Sequence, residues 1–138
     1  MTTMLAEAMD RLVPPVDGLP GAGTMGLASE VEQLASRHPP YHCALLAFID
    51  TLAPRWSAGL TDAEKDAALS DLEKADGATF TAILELVYLA YYADPRVHER
   101  VGWRGGPLQP EGFALPPFNS EILDVARQRP PFWRPTES

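Results

Sequence analysis

A single cysteine, Cys43, among 138 residues leaves no partner for an internal disulfide. It stands at the head of the apolar run 44–48, where a thiol is expected to act as a small buried hydrophobe and not as a nucleophile. Bases are scarce too: 11 Lys plus Arg face 19 Asp plus Glu, a formal charge of -8. Such a chain repels the phosphates that dominate affinity for nucleic acids and anionic membranes, so neither is expected as a partner. No stretch nears the roughly 20 apolar residues of a membrane-spanning helix. The N-terminal segment shows no basic n-region, no twin arginine and no apolar run of signal length, so the expected location is cytoplasmic, with export only on a partner's signal. No internal repeat and no alternation long enough for a strand is present.

Proline, by contrast, is abundant, with 14 residues beside 10 glycines. That level borders on low-complexity disorder, but 9% aromatic residues argue for a folded chain, and the placement of the prolines decides the matter. Leu5, Met9, Leu12 and Val13 form a helical face that ends at Pro14-Pro15, since proline lacks the amide donor a helix needs. A second helical face, Met25 to Leu34, runs to His38 and stops at Pro39-Pro40. Tyr41 to Trp56 reads as a third helix with Leu45, Phe48, Ile49 and Leu52 on one stripe. Thr61-Asp62-Ala63-Glu64 is a capping box that opens a fourth helix, running to about Ala75. The fifth segment, Ala78 to Ala93, is apolar almost all round and is therefore expected at the centre of the bundle. Asp94 as N-cap and Pro95 at the first helical position predict a short sixth helix ending at Gly102.

From Gly102 onward the character changes. Residues 102–138 hold seven prolines and four glycines with one helix candidate, Ser120 to Arg129, and the aromatic residues Trp103, Phe113, Phe118, Phe132 and Trp133. Residues 1–93 contain thirteen acids and five bases, whereas 94–138 contain six of each, the bases all arginine. A Pro-rich segment with large apolar side chains is extended and pre-ordered, and needs a surface to lie on. The expected architecture is all-α: a bundle of five to six helices over 1–101, followed within the same domain by an extended C-terminal arm, 102–138, rich in proline and aromatics.

Candidate chemistry is thin. His38 and His42 stand four apart, as zinc ligands on a helix do, but Pro39-Pro40 between them break that geometry, and no metal site is expected. His98 beside Glu99 could be an acid–base pair, yet adjacent helical residues point apart and a surface histidine is the favoured reading. Gly21-Ala22-Gly23 lacks the strand, third glycine and βαβ frame of a dinucleotide loop. The acids from Asp62 to Asp76 lack the spacing of a calcium loop and read as a solvated helix face. No catalytic or cofactor-binding residue is assigned. Tyr88, Tyr91 and Tyr92, at i, i+3 and i+4, are either core packing or, with the Arg- and Trp-bearing tail, the anchors of a protein interface. The tail likewise lies either on its own bundle or on a partner.

Two segments carry a family resemblance. Arg11-Leu12-Val13-Pro14-Pro15, with Asp17-Gly18-Leu19-Pro20-Gly21-Ala22 and Gly26-Leu27, resembles the opening of the gluconate 2-dehydrogenase subunit 3 family. Tyr91-Tyr92-Ala93-Asp94-Pro95, with Val101-Gly102-Trp103-Arg104-Gly105-Gly106-Pro107, is similar to that family's closing segment. The resemblance implies a small, helical, non-catalytic subunit that helps fold, stabilise or export a large flavin-dependent dehydrogenase of the glucose-methanol-choline type. FAD and the catalytic residues would then belong to the large subunit, in a heterodimer or larger hetero-oligomer. The residues expected to bind it are Tyr91, Tyr92, Trp103, Arg104, Phe113, Phe118, Phe132, Trp133 and Arg134. The competing expectation is a stand-alone helical enzyme, or a ligand-binding or regulatory protein, with a pocket near His98 and Tyr91/Tyr92.

Overall fold

The computed structural model describes residues 2–103, 105–106, 112 and 117–130, and within them the protein is all-α. The helices are α1 (Thr2–Leu12), α2 (Ala28–Arg37), α3 (Pro39–Leu52), α4 (Asp62–Ala75), α5 (Gly77–Ala93), α6 (Pro95–Arg100) and α7 (Glu121–Arg127), with a 3₁₀ turn at Ala53–Arg55. None is long and apolar enough to cross a membrane. The chain divides into two compact units, Met1–Gly105 and Gly106–Ser138. In the second unit, the Asn119 side chain accepts from the Glu121 amide at the start of α7 at 2.9 Å, and the helix is shorter than the expected 120–129.

Punctuation in the first unit follows the sequence closely. The Thr61 hydroxyl accepts from the Glu64 amide while the Glu64 carboxylate accepts from the Thr61 amide, closing the expected capping box. The Thr61 amide, and after it the Thr61 hydroxyl donating at 2.7 Å, hold the Glu64 carboxyl below the ordinary carboxylate range. Asp94 caps α6 by accepting from the Arg96 amide at 2.8 Å, with Pro95 in the first turn. Pro39 and Pro40 both stop α2 and open α3, so the third helix starts two residues before Tyr41. His38 is the extended N-cap residue at that junction, and the His38–His42 pair straddles a helix start.

Helix α5 packs on α2, α3, α4 and α6, and so is central as its composition demanded. Leu5 and Met9 of α1, Val31 of α2, Phe48 and Leu52 of α3, and Ile83, Leu86 and Val87 of α5 are fully buried together. Each such side chain contributes about 1.5–3 kcal/mol of transfer free energy. Cys43 is exposed, contrary to expectation, because the buried stripe of α3 runs through Ala44, Leu45, Phe48, Ile49 and Leu52 and leaves position 43 on the opposite face.

The connection from α1 to α2 is built on close approach. Asp17 (φ 46°) and Gly18 (φ 86°) form a two-residue turn across which Val16 and Leu19 exchange backbone hydrogen bonds of 3.1 and 2.9 Å. A Cβ on Gly23 would overlap the Ala6 backbone, and one on Gly21 would strike the Asp10 carboxylate and crowd the Val13 carbonyl. That carboxylate accepts from both the amide (2.8 Å) and the hydroxyl (2.7 Å) of Thr24. These glycines let a loop lie against α1.

Candidate interaction groove

Glu85, Tyr88, Leu89 and Tyr92 fall at i, i+3, i+4 and i+7 of α5, one stripe on the face turned away from the core. Leu89 and Tyr92 are 53% and 59% exposed. The helix is central without being enclosed all round: neighbours cover the side bearing Ile83, Leu86, Val87 and Ala90, and a stripe with Tyr88, Leu89 and Tyr92 remains outside. Tyr88 and Tyr92 lie 6.1 Å apart, ring to ring, along that stripe. Tyr41 of α3 closes one side by donating its hydroxyl hydrogen to Glu85 at 3.0 Å. The carboxylate stabilises the protonated phenol and pushes the Tyr41 pKa up.

Helix α6 builds the other wall through its C-terminus. Gly102 (φ 71°) takes the left-handed conformation, its amide donates to the Glu99 carbonyl at 3.1 Å, and the Trp103 amide donates to the His98 carbonyl at 2.9 Å. This paired pattern is a Schellman motif, which folds the residue after the glycine back onto the last full turn. Trp103 consequently meets the His98 ring edge-to-face at 4.2 Å. The His98 Nε2 lies 2.6 Å from the Tyr92 carbonyl, and since a carbonyl only accepts, Nε2 carries the hydrogen. Between these walls runs a groove of about 730 Å³ lined by Tyr41, Glu85, Tyr88, Tyr92, His98 and Trp103, with Leu89 in its floor.

Of the residues expected to bind a partner, the structure brings Tyr92 and Trp103 to this groove. Tyr91, 7% exposed, belongs to the core and touches Tyr92 edge-on at 5.3 Å. Phe118 is exposed and belongs to the second unit. Arg104, Phe113, Phe132, Trp133 and Arg134 lie outside the described residues. Tyr88 belonged to the tyrosine group noted in the sequence, and its spacing to Glu85 and Leu89 is legible as a stripe. Tyr41, 44 positions from Glu85, has no local signal.

Ionisable clusters elsewhere are structural ties. Arg11 of α1 grips Asp66 with two bonds of 2.7 Å and Asp62 with a third, so the acidic face of α4 is partly neutralised and Asp66 is held below the usual carboxylate range. Glu7 accepts from Lys65 at 2.8 Å and from the Trp56 indole at 3.0 Å, which depress its pKa in that order. Arg96 donates to the Met25 carbonyl at 3.0 Å and Arg100 pairs with Asp17, joining α6 to the loop before α2. Among the described residues, no three His, Cys, Asp or Glu side chains converge to hold a metal. No family model, no curated protein and no solved structure matches the chain.

Proposed function

We propose that the chain is a non-catalytic small subunit that binds and stabilises a large FAD-dependent sugar or alcohol dehydrogenase or oxidase of the glucose-methanol-choline type and assists its folding or assembly. The observation that carries the docking role is the aromatic stripe on the outside of the central helix, walled by Trp103. Exposed Tyr and Trp side chains beside a groove have the composition of interface anchors. The nature of the partner rests on the family resemblance. On the same resemblance, FAD belongs to the partner subunit. The complex is a heterodimer or larger hetero-oligomer, assembled in the cytoplasm.

Purification of the tagged full chain tests the proposal. A stoichiometric large chain of glucose-methanol-choline type sequence with flavin absorbance is expected, and its yield falls at least about tenfold when Tyr88→Ser, Tyr92→Ser and Trp103→Ala are combined, as loss of hot-spot anchors would give. A chain that purifies as a monomer without flavoprotein overturns it. The groove's volume, within the usual range of small-molecule sites, favours a second reading as a ligand-binding or regulatory bundle, or a small enzyme using His98 beside Tyr92. Turnover by the isolated chain without flavin would select the enzyme, and a stable monomer that binds a metabolite would select the ligand-binding bundle.

A further inference from the structure

We infer that the groove on α5 receives a cationic side chain, an arginine carried on an apolar stretch of the docked protein. This inference rests on the docking reading above and adds the chemistry of the docked segment. Tyr41, Tyr88, Tyr92 and Trp103 surround the groove with aromatic rings, and the carboxylate there is that of Glu85. Among the described residues, no Lys or Arg lines the groove, and none pairs with Glu85. Its bonding partner is the neutral Tyr41 hydroxyl. A second carboxylate, Glu99, lines the adjoining depression on the far side of His98 and Trp103.

The same molecule shows what such a combination holds. On the α1–α4 side, Lys65 Nζ lies 2.8 Å from the Glu7 carboxylate and 5.8 Å from the centre of the Trp56 ring. There an acid and an aromatic face share one cation, each attracting it through a different part of the charge distribution, the ring by its quadrupole and the acid by its full charge. Glu85 and the rings beside it offer the same two kinds of group, and among the described residues no cation is placed between them. A planar guanidinium suits the site better than an ammonium, because it stacks on Tyr and Trp faces while donating to a carboxylate.

Benzylguanidinium and its neutral isostere benzylurea separate the charge from the apolar body. In protein-observed NMR on the full chain, benzylguanidinium is expected to shift the signals of Glu85, Tyr88, Tyr92 and Trp103 and to bind at least about threefold more tightly than benzylurea. Glu85→Gln, at an exposed position, is expected to abolish that preference. Equal binding of the two probes, or a preference that survives Glu85→Gln, overturns the inference. In the purified complex, Glu85→Lys is expected to release the large chain and Glu85→Gln to weaken it. Loss of the large chain with Trp103→Ala but not with either Glu85 variant overturns the cationic reading and keeps the docking one. A chain that is monomeric as wild type overturns the docking reading itself.

Discussion

The two faces of α5 both carry apolar side-chain bodies and do opposite things. The inner face, Ile83, Leu86, Val87 and Ala90, is sealed by α2, α3 and α4, and most of it is fully buried. The outer face, Tyr88, Leu89 and Tyr92, carries large rings and an aliphatic side chain and stands in solvent. The kind of side chain separates them. Aliphatic residues, which have no polar atom to satisfy, fill the interior, while the outer stripe uses tyrosines, whose hydroxyls stay hydrated until something docks. A helix of 17 residues in a bundle of short helices has more apolar surface than its neighbours can cover, and the excess is where function is to be sought.

The sharpest way to test that division is to cut into each face in turn. Leu86, at 0% exposure, should show the largest effect. Leu86→Ala is expected to destabilise the isolated chain by about 2–5 kcal/mol in urea denaturation, since the cavity left among α2, α3 and α4 can only partly collapse. A loss below about 1 kcal/mol would mean that the inner face is no better packed than the outer one.

The junction at the end of α5 comes next, because it positions the Trp103 wall against the outer stripe. Asp94 caps α6, and the Arg96 side chain beside it holds its carboxyl below the ordinary carboxylate range. A depressed folded pKa contributes stability that is complete above the unfolded value of about 4 and is lost as pH falls through the lower folded value. Asp94→Ala is therefore expected to cost about 1 kcal/mol at neutral pH. The difference between variant and wild type should shrink on acidification below about pH 4, as denaturation midpoints across pH would show. A gap that stays constant to low pH would mean that the cap acts through shape and not charge.

How much of this could be read from the sequence follows the range of the forces involved. Capping at Thr61 and Asp94, and helix stops at Pro14-Pro15 and Pro39-Pro40, are decided within four residues and were legible. The exposure of Cys43 was not, because an apolar run reads as buried until the stripe facing α2 and α5 is known. The groove was half legible. The tyrosine spacing on α5 stood in the sequence, but which tyrosine turns inward depends on neighbours: Tyr91 packs inside while Tyr88 and Tyr92 do not. Tyr41 arrives from another helix, and Trp103 is aimed by a left-handed glycine whose consequence becomes visible only when His98 is seen beneath the indole.

The smallest expected effect is the most telling about the outer face. Tyr92 is 59% exposed and bonded to the bundle through its backbone carbonyl, which a side-chain substitution leaves in place. Serine and tyrosine have similar helix propensities, so Tyr92→Ser changes little in α5 itself. Stability of the isolated chain should then move by no more than about 0.5 kcal/mol, the usual range for surface positions, while docking suffers. A cost near 2 kcal/mol would show that the ring is already packed in the free chain. The two faces of α5 would then be alike, and the stripe would be core, with no partner needed to account for it.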